Sequence, residues 1–182
     1  MIETPPAARL IEAFLNTVDL ESGEDDVATP AELARWLAER LPGADEPRPT
    51  AAEHRALLDL RAGFREALDD ADPVAPHRLA LADAVLAEVP VLVTLTGARP
   101  GGPTLVPDPA LPPARRAMAL LAVAWAELVL TGQIQRLKRC AEHTCRGAFW
   151  DASKNHSRRW CSMRLCGNRT KSRRYTARRR EQ

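Results

Sequence analysis

Four cysteines, spaced C-x4-C-x15-C-x4-C at Cys140, Cys145, Cys161 and Cys166, constrain this chain more than any other feature. They are its only cysteines. Two like-spaced pairs joined by a short connector suit one tetrahedral ion, because each pair delivers two thiolates from a tight turn and the connector folds back as a hairpin. The segment around them has few large apolar side chains and cannot easily bury a core of its own. Metal has to supply the difference, on the order of 10 kcal/mol for structural zinc. The expectation is one structural Zn2+ on all four thiolates, with iron as the chemical alternative. His143 and His156 lie in the same segment, but four thiols already complete a tetrahedron, so both are read as loop residues.

The net charge of +2 hides a sharp division. Residues 1–135 hold 11 Lys+Arg against 21 Asp+Glu, net −10, whereas residues 136–182 hold 15 against 3, net +12. A basic block attracts polyanions and an acidic one is repelled by them, which assigns any nucleic-acid contact to the cysteine segment. The first six residues offer neither a basic nor an apolar run, and no apolar stretch approaches about 18 residues. A cytoplasmic protein with no membrane contact is expected, with its grouped thiols on metal rather than in disulfides.

Residues 1–135 read as a mainly α domain with one β-hairpin. Leu10, Ile11, Phe14, Leu15 and Val18 recur at helical steps. Thr29-Pro30-Ala31-Glu32 and Thr50 with Glu53 are capping boxes that open two further helices, the second closing before Pro73. Residues 76–88 extend the helical pattern through Leu79, Leu81, Val85 and Leu86. Val91–Thr96 is β-branched, 97–103 is rich in turn residues and Thr104-Leu105-Val106 returns as a partner strand. Pro112-Pro113 opens a last helix, apolar on nearly all sides and therefore expected at the centre, with Gly132 placed to end it. Asp25-Asp26 and Asp69-Asp70 read as solvated charges.

Residues 136–182 read as a small treble-clef-like finger built on the four cysteines. Phe149-Trp150 forms a short strand, Asp151–Asn155 turns, Arg158-Arg159-Trp160 returns, and Cys161-Ser162 starts a helix that carries Cys166. Trp150 and Trp160 are expected to pack around the finger's small core rather than stack on bases. Beyond Cys166, Arg169, Lys171, Arg173, Arg174 and Arg178 fall at helical spacing, so one surface would be nearly all cationic, an arrangement that a phosphate backbone neutralises. Arg158, Arg159 and Asn168 join them as candidate nucleic-acid contacts.

The run Cys166-Gly167-Asn168-Arg169, with Arg158–Met163 before it and Thr170–Tyr175 after it, resembles the motif of the CGNR zinc-finger family over about residues 136–178. Proteins of that family usually carry an N-terminal, mainly helical domain called ABATE, associated by description with stress-induced transcription regulation, and residues 8–130 are similar to it more loosely. Phe14-Leu15-Asn16-Thr17 is the clearest echo, and Glu12-Ala13 departs from the apolar residue and Asp found there in the family. The resemblance implies a DNA-binding regulator in which an acidic helical domain senses a ligand or contacts proteins. A cavity lined by Phe14, Asn16 and Trp36 is the candidate ligand site.

The competing reading is an RNA- or ribosome-associated zinc protein, since phosphate contacts are common to duplex DNA and RNA. Residues 1–135 contain no Gly-rich phosphate loop, nucleophile elbow or paired histidines, and a four-thiolate shell leaves no open metal position, so no enzymatic activity is expected. A single small finger spans few base pairs, and a homodimer formed through the apolar helices would lengthen the site.

Overall fold

A computed structural model describes residues 3–41, 47–68, 75–95 and 104–180. Helix α1 (Pro6–Leu15) is followed by α2 (Pro30–Arg40) and α3 (Ala51–Ala67). Both of the latter open on the capping boxes read from the sequence: Thr29 and Thr50 each accept from the main chain three residues on, while Glu32 and Glu53 reach back to the cap N–H. Helix α4 (Pro76–Ala87) packs closely along α3. The approach depends on Gly63, where an added Cβ would lie 2.2 Å from the Cβ of Ala82. Ala82 is accordingly the deepest residue of α4, and Leu81, expected on the inner face, is half exposed.

Strand β1 (Val91–Val93) pairs antiparallel with β2 (Leu105–Pro107), Val91 opposite Pro107. The hairpin lies where the sequence puts it, and its expected turn at 97–103 falls outside the described residues, as do Asp69-Asp70. Helix α5 (Pro113–Leu130) buries Ala117, Ala119 and Leu121 completely. It is not buried all round: Val129 and Leu130 at its end are exposed, and Gly132 then turns the chain with a left-handed φ of 68°.

The core gathers Ile11, Phe14 and Leu15 of α1, Leu33 and Leu37 of α2, Leu57 and Leu60 of α3, and Leu121 and Leu128 of α5. Phe64 stacks on Trp125 with ring centres 4.3 Å apart, and Phe14 meets Trp36 at 5.6 Å. The loop after α1 corrects the reading of Asp25 as a solvated charge. Its two oxygens take a two-point ion pair from Arg61 at 2.8 and 2.6 Å, and Arg61 also donates to Thr17, so the acidic loop is tied down on α3.

A second hairpin forms from β3 (Leu137–Arg139) and β4 (Ala148–Trp150), Leu137 opposite Trp150. The sequence pattern pairs Phe149-Trp150 with Arg158–Trp160, and the structure corrects this. The partner is instead the strand before the first cysteine, because a 3-10 turn at Gln133–Arg136 delivers Leu137 from the end of α5 directly onto the core. Residues 158–160 meet the first knuckle through one main-chain bond, from Ala141 N–H to the Arg159 carbonyl. Leu137, Ala148 and Trp150 belong to the same apolar core as the helices, whereas Phe149 packs with Cys140 and Cys166 in a smaller cluster.

Three polar side chains of the helical body fasten that hairpin. The Asn16 amide exchanges two hydrogen bonds of 2.8 Å with the main chain of Ala148. Glu12, one turn earlier on α1, accepts from Trp150 N–H at 3.1 Å. Arg65, buried on α3, donates to the Leu15 carbonyl at the end of α1 and to the Arg146 carbonyl in the first knuckle. Burial, with Arg139, Arg61 and Arg146 nearby, pulls its guanidinium down to about 10, so it remains cationic at neutral pH.

Candidate metal centre and nucleic-acid interface

The first cysteine pair sits in a knuckle between β3 and β4. Cys140 N–H donates to the Gly147 carbonyl, Cys145 and Arg146 N–H both donate to the Glu142 carbonyl, and Arg146 takes a left-handed φ of 47° to close the turn. Of the second pair, Cys161 precedes a π-helical turn, Met163–Gly167, that carries Cys166 and runs into helix α6 (Asn168–Arg180). Ser162 caps that turn by accepting from Leu165 N–H. This is the treble-clef arrangement expected, with one pair in a hairpin knuckle and the other at a helix start.

The four sulfurs lie within 4.8 Å of one another, with Cys145 to Cys161 at 3.7 Å and Cys161 to Cys166 at 3.6 Å. A tetrahedron with metal–sulfur bonds of about 2.3 Å has edges of roughly 3.8 Å, so the cluster fits one zinc ion. Cys161 N–H also points at the Cys140 sulfur, as a donor to thiolate should. Burial, with Cys145 and Cys140 adding to it and Cys161 opposing, pushes the Cys166 thiol up to about 11, and burial foremost pushes Cys161 higher still. The thiol protons therefore leave when a cation takes their place, which couples metal binding to proton release. His143 is turned away from the sulfurs toward Glu142 and Arg173, and His156 offers its carbonyl to Lys138.

Two carboxylates without exposed surface hold the finger's segments together. Glu142, between the first two cysteines, accepts from Thr144 and from Thr170 and Arg173 of α6. Burial opposes its ionisation, but Arg173, the Thr170 hydroxyl and the Thr144 N–H outweigh it and hold the carboxyl down to about 2. Asp151, after β4, accepts from Lys138 and from the N–H groups of Ser153 and Arg158, and stays ionised well below the usual carboxylate range although burial works against it. Sequence reasoning misses both. A signal exists: residues 136–182 contain three acidic residues among 15 basic ones, and a carboxylate that isolated is a natural place for a structural role.

The eight basic-segment residues expected as nucleic-acid contacts divide into two groups. Arg158 spends its guanidinium on the carbonyls of Trp150 and Cys161 and lies over the Phe149 ring, bracing the second knuckle. Arg173 is bound to Glu142, Arg169 pairs with Glu21 of the helical body at 2.8 Å, and the Asn168 amide donates to the Arg164 carbonyl. These four are exposed but each is engaged by a carboxylate or carbonyl of the protein. Arg159 stacks on Trp160 and is exposed, and Lys171 and Arg178 are exposed with no acidic partner among the described residues. The Arg174 side chain falls outside the described residues. Helix α6 thus turns Arg169, Thr170 and Arg173 toward the rest of the protein and Lys171, Tyr175 and Arg178 away from it.

The trio expected to line a ligand cavity is not gathered into one. Phe14 is completely buried in the core and Trp36 nearly so, and the Asn16 amide is already engaged by Ala148. Asn16 and Trp36 do border one open cleft, shared with Glu24, Asp25, Glu32 and Arg35. No helix among the described residues is long and apolar enough to cross a membrane.

Residues 8–132 match the ABATE model, whose description is "Putative stress-induced transcription regulator", and residues 136–179 match the CGNR zinc finger. No curated protein matches the chain.

Proposed function

This chain belongs to the ABATE family and carries a CGNR zinc finger, and from that premise we propose that it is a transcription regulator that holds duplex DNA through the outer face of α6. The observation that carries the reading is the division of that helix. Its inner cations are neutralised by Glu142 and Glu21, so the zinc knuckles and the helical body fix its orientation, while Lys171 and Arg178 are left without a protein counter-charge among the described residues. A rigid helix presenting unneutralised cations suits a phosphate backbone. The metal's role is architectural: four thiolates close its shell and leave no position for water, so no catalytic step is assigned. The acidic helical body, repelled by the same polyanion, is left free for protein or ligand contacts.

The test is a fluorescence-anisotropy titration of the zinc-loaded protein with duplex DNA and matched RNA at several salt concentrations. If about six phosphates are neutralised, affinity for the duplex falls roughly a thousandfold between about 50 and 200 mM salt. Replacing Lys171 and Arg178 by Gln flattens the slope by about one unit per lost phosphate contact while zinc is retained. Tight, salt-sensitive binding to RNA with none to duplex would replace this reading with the RNA one.

A further inference from the structure

The four cysteines are not equally covered. Cys140 and Cys166 are buried, whereas Cys145 and Cys161 are only half-buried. Both of the latter border a cleft of about 570 Å³ where α1 meets the finger, and neither Cys140 nor Cys166 does. Glu12, Asn16, Phe149 and Arg158 share its walls. The cleft therefore reaches one cysteine of each pair, Cys145 from the first knuckle and Cys161 from the second, and their sulfurs stand 3.7 Å apart. Distance alone does not single them out, since the Cys161 and Cys166 sulfurs are 3.6 Å apart. Access does. The Cys140 sulfur is in addition occupied by the Cys161 N–H, a donor that draws on the electron pair an attacking thiolate needs. Two cations flank the accessible pair: Arg158 donates to the Cys161 carbonyl at 2.6 Å, and Arg65 donates to the carbonyl of Arg146, the residue after Cys145.

We propose that Cys145 and Cys161 are a redox modification site, joined as a disulfide by a hydroperoxide that enters this cleft, with release of the metal. Zinc has no redox chemistry of its own, so the sulfurs are what an oxidant attacks. The Cys145 thiolate attacks one peroxide oxygen: an S–O bond forms, the O–O bond breaks, and hydroxide departs, leaving a sulfenic acid on Cys145. The Cys161 thiolate then attacks that sulfur: an S–S bond forms, the S–O bond breaks and a second hydroxide leaves. Two thiolates lose two electrons in all, and the peroxide is reduced to two hydroxides. The guanidinium of Arg158 on the cleft wall favours the negative charge that develops on the departing oxygen. A disulfide of about 2.05 Å asks the two sulfurs to close by roughly 1.7 Å, a movement within reach of two short turns. Cys140 and Cys166 alone complete no tetrahedron, so the ion is lost. The orientation of α6 then rests on Glu142 with Thr170 and Arg173, without the tie through Cys166.

The proposal rests on the four-thiolate metal centre and not on duplex binding, so its failure leaves that reading standing. Zinc-loaded full-length protein is treated with hydrogen peroxide while a colorimetric chelator reports free zinc. Iodoacetamide traps the remaining thiols at the earliest time points for peptide mass spectrometry. About one zinc is expected to leave per peroxide consumed, with Cys145 joined to Cys161 and with Cys140 and Cys166 alkylated. Dithiothreitol restores four thiols and zinc binding, as the reversible rung of cysteine oxidation requires. Val18→Trp, at a residue that lines the cleft and is no metal ligand, keeps its zinc and slows the release roughly tenfold by blocking access. Zinc and all four thiols retained under about tenfold excess of peroxide overturn the proposal. So does a first-formed bond from Cys161 to Cys166 or from Cys140 to Cys145, an outcome read in the wild-type protein whether or not the variant folds. Release at an unchanged rate in a folded Val18→Trp protein overturns the cleft as the route of entry.

Discussion

Arg173, on the basic helix, donates to Glu142, a carboxylate with no exposed surface that lies between the first two cysteines. The contact spans 31 residues and joins the knuckle to the helix without passing through the metal. It makes one of the most cationic-looking residues of the chain a member of the finger's framework.

Replacing Arg173 by Ala should therefore cost stability. Glu142 would be left buried without its positive neighbour, a loss of about 2 kcal/mol once the partial exposure of the arginine is allowed for. Lys171→Ala, on the outer face, should change stability by no more than about 0.5 kcal/mol. Thermal unfolding of the zinc-loaded proteins distinguishes the two, and equal effects would contradict the division of α6 into a fixed and a free face.

Zinc loss should be felt beyond the finger. The protein should bind one metal ion per chain, and Cys166→Ser should reduce that to under half an equivalent in metal analysis. Because Leu137, Ala148 and Trp150 pack in the core of the helices, the helical body should persist but melt several degrees lower. A helical body whose melting temperature ignores the metal would show the hairpin to be an independent unit.

Asn16→Ala should loosen the junction. Two hydrogen bonds to Ala148 are lost, worth about 1–2 kcal/mol together, and limited proteolysis should begin to cut between residues 140 and 160 while zinc content is unchanged.

Acid should weaken the loop after α1. The hydrogen bonds from Arg61, acting against burial, hold the Asp25 carboxyl below its ordinary value of 3.8, so the folded protein takes up that proton less readily than the unfolded chain. The pair's stabilisation is complete above about pH 4 and declines as pH falls further. Asp25→Asn should cost about 1–2 kcal/mol at neutral pH, and the gap from wild type should narrow by pH 3 when urea midpoints are compared. A gap that stays constant would detach the effect from the carboxylate's charge.

What the sequence makes legible is whatever neighbouring residues decide among themselves. The capping boxes at Thr29 and Thr50, the β1–β2 hairpin and the cysteine spacing are all local arrangements, and each appears where expected. The π turn reads as plain helix, because a single extra residue per turn leaves no trace in apolar spacing. Strand pairing in the finger is hidden because β3, a three-residue strand of Leu-Lys-Arg, looks like an approach to Cys140 and only its contact with the core makes it a strand. Roles of charged residues are the least legible. Arg65, Arg158 and Arg173 each satisfy carbonyls or a carboxylate brought near by the fold, and in composition they cannot be told from Lys171 and Arg178, which face solvent.

The 132 residues that separate Asn16 from Ala148 also set the order in which this chain can finish folding. Helix α1 is synthesised before α2, α3, α4 and α5, yet the groups that satisfy Asn16 and Glu12 are made after all of them. A ribosome delivering the chain from its N-terminus thus releases α1 long before its last partner arrives, and the helix must wait with some of its surface unmatched. Loop closure over such a distance is slow compared with helix formation. Final consolidation of the earliest element accordingly falls to one of the latest, and a chain stalled short of β4 would hold nearly all its helices while lacking the clasp that secures the first of them.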